Sequence, residues 1–263
     1  MDKKEQELID KIIDFMIINE CGEDCDESYD IRLDCYFNEL LKCIKAETFS
    51  KLFYDNNIFV NSFKENDEVR ETFKGELTWS NKCPEEVLKK IVMERDEYDT
   101  EKVYHAIINE VCANKLATEI LKENDGIKVR MLASNSYLNK DTIDYMINNV
   151  LDTAMFQNLG CNKACSIEQL KKILSISTDK TVHNLIYFNL IENKCYELTV
   201  TDITYIENSK HLNLVLTMLE HSDNCTEENI KTIFRLYENS DSRLFKSILK
   251  YPNCPDVIKN KLT

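Results

Sequence analysis

The chain has 263 residues, a net charge of −14, and only four glycines and three prolines. Because β-hairpins and barrel corners depend on glycine, this composition argues against an all-β fold and favours helices with short polar connections. So acidic a surface repels phosphate backbones and anionic lipid headgroups, which argues against direct binding of nucleic acids or membranes. Eleven cysteines, an odd number, indicate a reducing compartment, so we expect a cytoplasmic protein.

An acidic helical segment is predicted at residues 1–47. Residues 1–50 carry 14 acidic and 6 basic side chains, which is more than half of the net charge of the chain. Helices are predicted at residues 3–19 and 33–47, and residues 20–31 are predicted to join them as a loop. The apolar stripe that predicts the second helix is Leu33, Tyr36, Phe37, Leu40, Leu41 and Ile44.

The predicted loop concentrates negative charge. Its acidic side chains, with no basic residue among them, are Glu20, Glu23, Asp24, Asp26, Glu27 and Asp30. Some of these alternate like the ligands of a calcium-binding loop, but Tyr29 replaces the required glycine and Cys35 replaces the closing glutamate. A solvated loop is therefore favoured, and its six acids are the candidate residues for binding a basic partner protein.

Residues 48–78 are predicted to form a degenerate capping repeat. Val69, Thr72 and Phe73 repeat an apolar spacing that recurs downstream. The degenerate first helix of this repeat would include Tyr54, Ile58, Phe59 and Phe63.

Residues 79–263 are predicted to be an array of about seven helical repeats. One position recurs roughly every 28 residues and holds a cysteine in six repeats and a leucine in one. These repeat starts are Cys83, Cys112, Leu138, Cys165, Cys195, Cys225 and Cys254. Since successive repeats would hold these thiols too far apart to share an ion, we expect them to be buried packing residues.

Each repeat shows two apolar helical faces. Five and eight residues after most starts lie the pairs Leu88 and Ile91, Ile143 and Met146, Leu170 and Ile173, Val200 and Ile203, Ile230 and Ile233. After Cys112 and Cys254 the first position shifts, and the pairs are Leu116 and Ile120, Ile258 and Leu262. The shorter second face is Val103-Ala106-Ile107, Val129-Leu132-Ala133, Leu151-Ala154-Met155, Val182-Leu185-Ile186, Leu212-Val215-Leu216 and Leu244-Ser247-Ile248. Such helices bury their stripes only when hairpins stack. The predicted fold is all-α, a right-handed α-solenoid of helical hairpins with an N-terminal helical cap.

Three segments of the array resemble the variant leucine-rich repeat, a relative of HEAT-type helical repeats. They are residues 80–88 (SNKCPEEVL), 129–135 (VRMLASN) and 251–255 (YPNCP). The repeats here are longer than those of that family and mostly lack its proline after asparagine, so generic HEAT-like hairpins are the alternative. The resemblance covers about residues 79–263 and implies a binding scaffold rather than an enzyme.

Four cysteines outside the repeat register are candidate metal ligands: Cys21, Cys25, Cys35 and Cys43. A member of the resembled family carries an iron–sulfur cluster on cysteines that precede its repeats, which favours this position. However, intervals of three, nine and seven residues lack the C-x-x-C pairs of a strong site. No metal or cofactor is therefore predicted, and a four-cysteine zinc or iron–sulfur site is kept as a lesser alternative.

No catalytic residues are predicted. His105, His183, His211 and His221 do not pair with a nucleophile or with a second histidine at metal-binding spacing, and phosphate-loop, serine-hydrolase and zinc-protease motifs are missing from the sequence. We therefore expect a non-enzymatic scaffold that binds another protein. The alternative is an acidic inhibitor or decoy of a nucleic-acid-processing or defence enzyme, of the phage counter-defence or immunity type, which would occupy a basic channel.

Overall fold

The computed structural model of this chain describes residues 3–20, 27–54, 73–75, 77–78, 80–93, 100–194, 196–221, 225–237 and 242–262. Within these ranges the secondary structure is helical, without β-strands, which confirms the predicted all-α class. No helix in these ranges combines the length and apolar character needed to cross a membrane. The chain forms two compact units, an N-terminal unit (Met1–Tyr137) and a C-terminal unit (Leu138–Thr263), and this boundary falls inside the predicted array.

The N-terminal unit begins with α1 (Lys3–Glu20), α2 (Glu27–Cys43) and α3 (Ala46–Tyr54), and α1 packs along α2. The predicted bounds of the second helix and of the acidic loop are wrong, because α2 starts at Glu27 rather than at residue 33 and stops at Cys43. Residues 27–30 therefore form its first turn. Acidic residues suit that position, since the N-terminus of a helix carries a partial positive charge.

A buried carboxylate connects α1 to α3. The Glu5 side chain is fully buried and accepts hydrogen bonds from the Lys45 backbone N–H (2.9 Å) and the Thr48 hydroxyl (3.1 Å). Both donors lie at the start of α3, and the Lys45 N–H is one of the backbone groups that a helix leaves unpaired at its N-terminus.

The predicted capping repeat is described only in part. Phe73 is fully buried, and its ring lies 5.3 Å from that of Phe37 on α2. The other residues named for this repeat (the side chain of Tyr54, and Ile58, Phe59, Phe63, Val69 and Thr72) lie outside the described residues.

The remaining helices of the N-terminal unit are α4 (Glu85–Met93), α5 (Thr100–Ile108), α6 (Glu110–Lys115), α7 (Ala117–Glu123) and α8 (Gly126–Ala133). Helices α4 and α5 form a hairpin, and the next hairpin stacks on it through α4 against α6 and α5 against α8. Cys112, Leu116 and Ile120 are buried as predicted. The predicted single helix of that repeat is divided into α6 and α7 at Leu116, whose backbone leaves ideal helical geometry (φ −107°, ψ −14°).

The C-terminal unit alternates helices of two layers. The first-layer helices are α9 (Lys140–Asn149), α11 (Ile167–Ile176), α13 (Val200–Asn208), α15 (Glu227–Tyr237) and α17 (Asp256–Leu262). The second-layer helices are α10 (Thr153–Cys161), α12 (Lys180–Lys194), α14 (Leu212–His221) and α16 (Ser242–Lys250). Each second-layer helix packs on the next one, while α9 contacts α11 and α13 contacts α15 in the first layer. The core lies between the layers.

First-layer helices follow a buried residue and a capping side chain. Leu138 and Cys165 are buried, and the next residues, Asn139 and Ser166, accept hydrogen bonds from backbone N–H groups of the first turn. Cys225 and Cys254 hold the same buried position before α15 and α17. The predicted packing role of these thiols is confirmed, since a small apolar group is what fits between the layers.

One predicted repeat start is wrong. Cys195 lies outside the described residues, and the buried residue before α13 is Leu198, followed by the capping side chain of Thr199. Five and eight residues after Leu198 come the buried residues Ile203 and Ile206, whereas Val200, predicted to be buried, is 76% exposed. The register shifts because α12 spans 15 residues and delays the next repeat.

A second error concerns the start of α10. Leu151, predicted to be in the core, is 79% exposed and precedes the helix, whose buried residues are Met155, Phe156, Leu159 and Gly160. The apolar stripe therefore lies about one turn later than predicted. At Gly160 an added Cβ would sit 3.2 Å from Cγ1 of Ile186, so glycine permits the close approach of α10 and α12.

Three buried asparagines at the ends of hairpins connect their hairpins to the previous ones. Asn135 donates from Nδ2 to the carbonyls of Ile107 (2.7 Å) and Asn109 (3.0 Å), and its Oδ1 accepts from the Tyr137 N–H (2.8 Å). Asn109 makes the same bonds in the preceding repeat. In the C-terminal unit, Asn189 donates two bonds to the preceding hairpin in the same way. We call these three residues the ladder asparagines; they fix the register of neighbouring hairpins.

Candidate functional site

A groove opens in the C-terminal unit where α11 ends and the second-layer helices α10 and α12 begin. It has a volume of about 690 Å³ and is lined by residues 176–181 together with Leu151, Thr153 and Phe156. We call it the rim groove. Ordinary ligand pockets have volumes in this range, so the groove can accept one or more side chains of another molecule.

Two aliphatic side chains at the rim groove remain accessible to solvent. Leu151 is 79% exposed and Ile176 is 39% exposed, while Phe156 is buried below them. A single exposed aliphatic residue is normal on a protein surface. Two that line the same concavity form an apolar site, and covering a leucine side chain there would contribute about 1.5–3 kcal/mol.

The polar wall of the rim groove is held in place by helix-capping hydrogen bonds. Asp179 Oδ1 accepts from the Val182 N–H (2.9 Å), and the Asp179 N–H donates to the Ser177 hydroxyl oxygen (3.2 Å). The Ser177 carbonyl accepts from His183 Nε2 (2.7 Å). These bonds fix the connection between α11 and α12, so the groove is preformed.

The lining of the rim groove suits binding rather than a reaction. Among the described lining residues, Asp179 and Lys180 are the only ionisable side chains, and Asp179 is committed to capping α12. The remaining polar lining consists of serine and threonine hydroxyls, which can form hydrogen bonds to a peptide backbone. His183 points its Nε2 at a backbone carbonyl, and His211 Nδ1 accepts from the Leu214 N–H (3.3 Å).

Sequence analysis missed the rim groove because it assigned Leu151 to the core. The available signal was Asp152, which is followed by Thr153 and caps α10 by accepting a hydrogen bond from the Met155 N–H (2.7 Å). An aspartate at a predicted helix start indicates that the preceding residue lies outside the helix. Ile176, by contrast, gave no such signal, since it continues the apolar spacing of α11.

Negative charge is unequally divided between the two compact units. Residues 1–137 carry 31 acidic and 19 basic side chains, a net charge of −12, whereas residues 138–263 carry 16 and 14, a net charge of −2. In the C-terminal unit, uncharged side chains occupy the half-exposed middle positions of α10, α12 and α14: Gln157, Asn158, Asn184, Leu185, Leu216 and Thr217. A partner of this unit therefore does not need a basic surface.

The six predicted partner-binding acids belong to the N-terminal unit. Glu20 is the last residue of α1, and Glu27 and Asp30 lie in the first turn of α2. Glu23, Asp24 and Asp26, and the side chains of the other three, lie outside the described residues. Their role in binding a basic protein stays a prediction.

The four-cysteine zinc or iron–sulfur site, kept only as an alternative, is described in part, because Cys21 and Cys25 lie outside the described residues. Cys35 is exposed and Cys43 half-buried on the same helix, and eight residues of helix separate them by about 12 Å along its axis. The two thiols are therefore too far apart to bind one zinc ion, given Zn–S bonds of about 2.3 Å. Among the described residues, no group of three or more potential ligands is placed to hold a metal ion.

The buried thiols of the repeats are unreactive at neutral pH. Burial raises the pKa of Cys83 and of Cys112 to about 12, and that of Cys225 to about 11. The negative charge of Glu86 also raises the pKa of Cys83, whereas a hydrogen bond with the Tyr251 side chain lowers that of Cys225. At neutral pH these thiols are protonated, so they are poor nucleophiles and poor metal ligands.

No protein-family model matches the chain, and neither a curated protein nor a solved structure shows significant similarity to it. The candidate site is therefore defined by the sequence and geometry of this chain.

Proposed function

We propose that the protein is a non-catalytic scaffold that binds another protein, and that the rim groove receives an apolar side chain of that partner. The exposure of Leu151 (79%) and Ile176 (39%) at one preformed concavity carries this proposal. An apolar side chain that fills such a pocket is typical of the few residues that dominate protein–protein affinity.

We also propose that the stacked hairpins belong to a right-handed α-solenoid of the variant leucine-rich or HEAT-like kind. Support comes from the packing of each second-layer helix on the next one and from the recurring ladder asparagines. In a solenoid each repeat contacts only its neighbours, and the accessible faces of its helices form an extended binding surface. This architecture explains why the C-terminal unit offers uncharged, half-exposed side chains outside its core.

A second candidate function is the acidic inhibitor or decoy, and the net charge of −12 in residues 1–137 favours it. Such a protein would use long-range attraction to reach a basic channel, so its association rate would fall steeply with added salt. Binding through the rim groove would depend much less on salt, because it rests on apolar burial. Salt dependence therefore separates the two functions.

The test is affinity capture with tagged full-length chain, followed by measured affinity for the recovered partner. A double variant, Leu151→Asp with Ile176→Asp, places charge at the rim groove, while Val200→Asp, which adds one charge at an exposed aliphatic position, is the control. Val200 is equally accessible (76% exposed) in the same unit. It is the first residue of α13, whereas Ile176 is the last residue of α11. We expect the partner to be retained by the wild type and by the control, and lost by the double variant.

Two outcomes would count against the proposal. Equal capture by the wild type and the double variant would show that the rim groove is not the binding site. A partner that elutes from all three proteins at about 0.15 M salt, where charges are screened over about 8 Å, would favour the acidic decoy instead.

A further inference from the structure

We infer that helix α16 forms a basic docking surface for an acidic segment of the partner polypeptide. This inference rests on the proposed protein-binding function and adds a second contact, distinct from the rim groove. Among the second-layer helices of the C-terminal unit, α16 is the one that carries several charged side chains, all of them basic.

The charges of α16 are gathered on one side. Lys246 and Lys250 are exposed and lie four residues apart, which places them within about 40° of each other around the helix axis. The apolar residues Leu244 and Ile248 are fully buried on the opposite side. The packing of α16 on the core therefore turns its basic face toward solvent.

This basic face contrasts with the remainder of the chain. Residues 242–262 carry five basic side chains and one acidic side chain, a net charge of +4, in a protein whose net charge is −14. In α17, Lys259 pairs with Asp256 (3.3 Å), and Lys261 lies over the Phe234 ring at 5.7 Å. The adjacent second-layer helix, α14, carries a single acidic residue, Glu220.

Apolar groups accompany the charges. Phe245 and Leu249 are half-buried on α16, so part of each side chain is accessible beside the lysines. The Phe245 ring packs against that of Phe234 at 5.9 Å, which holds it in place. A segment in which carboxylates alternate with apolar residues would complement such a surface, with carboxylates at the lysines and apolar groups at the exposed edges of Phe245 and Leu249.

The size of the basic face favours an acidic polypeptide over a nucleic acid. Attraction between exposed charges is screened within about 8–10 Å at physiological salt, so the lysines act on groups close to them. A nucleic acid extends its phosphates beyond the face and meets the excess of acidic side chains elsewhere on the chain. A short acidic segment can stay within the face.

The experiment measures fluorescence anisotropy of a labelled peptide in which Glu–Glu pairs alternate with single leucines, added to full-length protein. Its Gln–Gln analogue and a labelled single-stranded oligonucleotide serve as comparison probes. The test variant is Lys246→Glu with Lys250→Glu, and the control is Lys140→Glu with Lys163→Glu, which makes the same charge change at exposed positions of the same unit. Circular dichroism and thermal melting check that all variants are folded.

We expect the acidic peptide to bind the wild type and the control equally, and the test variant about tenfold more weakly. The Gln–Gln analogue should bind weakly to all three. Absence of acidic-peptide binding to the wild type, or equal loss in test and control variants, would overturn the inference. Tighter binding of the oligonucleotide, lost in the same test variant, would also overturn it and assign the face to nucleic acid.

The double variant Leu151→Asp with Ile176→Asp separates this inference from the proposed function. It should bind the acidic peptide normally, because its substitutions lie in the rim groove and not on α16. Failure of peptide binding alone would leave the rim groove intact as a docking site. Failure of groove-dependent capture alone would refute the proposed docking role of the groove without removing the basic face.

Discussion

Replacing Asn135 by alanine should be among the most destabilising single polar substitutions in the N-terminal unit. The Asn135 side chain is fully buried and makes two hydrogen bonds to the preceding hairpin and one to its own turn. Alanine removes all three of these side-chain bonds. It leaves α8 unchanged, since that helix ends before this position, at Ala133. The substitution therefore isolates the contribution of the amide to the register between hairpins.

The size of the stability loss follows from the backbone groups that lose their hydrogen bond to the Asn135 side chain. Each hydrogen bond contributes about 1 kcal/mol net, and a buried group that loses its partner costs about 1–3 kcal/mol. The Asn109 carbonyl keeps a backbone bond from the Ala113 N–H (3.1 Å), whereas the Ile107 carbonyl and the Tyr137 N–H lose the bonds described above. We expect Asn135→Ala to lower the free energy of unfolding by about 3–4 kcal/mol.

Two related variants calibrate this value. Asn189 donates the same two bonds, but its buried Oδ1 has no hydrogen-bond partner among the described residues, because α12 continues past it. Asn189→Ala should therefore cost about 1 kcal/mol less than Asn135→Ala. Asn149, an exposed residue whose Nδ2 bonds only within its own helix, is the control, and Asn149→Ala should change stability by less than about 0.5 kcal/mol.

Asn135→Asp tests whether the N–H donors of the Asn135 amide, rather than the volume of its side chain, stabilise the fold. Its carboxylate would face two carbonyl oxygens in a buried site, which raises its pKa in the folded state above that in the unfolded state. The stability of this variant should thus be highest at acidic pH and fall as pH rises through the folded pKa. Asn135→Ala should lack this dependence.

Urea unfolding, followed by circular dichroism, measures these differences. A loss of 3–4 kcal/mol should lower the midpoint by about 1 M or more, given slopes of about 1–3 kcal/mol per molar urea. Hydrogen exchange of α5 and α8 shows whether the loss is local to the hairpins that Asn135 connects. If Asn135→Ala unfolds within about 0.5 kcal/mol of the wild type, the ladder asparagines do not hold the hairpins together.

Three further predictions address the register, the pH dependence and the thiols. Leu198→Asp should destabilise the protein by several kcal/mol, and Val200→Asp by less than about 0.5 kcal/mol, in the same urea assay; equal effects would contradict the shifted register. Burial raises the pKa of Glu207, so its unfavourable contribution grows as pH rises from the unfolded pKa of about 4.3 to the folded pKa, and Glu207→Gln should gain stability over the wild type as pH rises above about 4. No gain would argue against that shift. Iodoacetamide at about pH 8 should modify exposed Cys35 well before Cys112, whose pKa of about 12 leaves about one thiolate in ten thousand, as mass spectrometry can show; rapid modification of Cys112 would mean that its site opens.

Sequence periodicity determined the class of the fold and most of its packing positions. Helical spacing of apolar residues predicted the hairpins, and the buried positions of Cys83, Cys112, Leu138, Cys165 and Cys254 were predicted correctly. These predictions succeeded because a helix buries one stripe, and its spacing is set by local geometry that every repeat shares.

The candidate site could not be predicted in this way. The rim groove depends on Leu151 being outside α10 and on Ile176 lying beside the start of α12, and both conditions concern neighbouring hairpins rather than one helix. The acidic residues and the four N-terminal cysteines, which the sequence indicated as alternatives, remain hypotheses for separate experiments. Exposure of an apolar residue is a property of the packed structure, and spacing alone does not give it.

The sequence by itself determined that this chain is helical, repetitive and unevenly charged, because propensity, apolar period and charge are local properties of the residues. Only the tertiary structure decided where each repeat begins and what holds it. With the long α12, the buried residue before α13 is Leu198, three residues after the predicted repeat start, and the amide of Asn135 bonds to groups 26 and 28 residues away. Those outcomes depend on which groups meet when hairpins stack, since a buried polar group must find its partner wherever the packing places it.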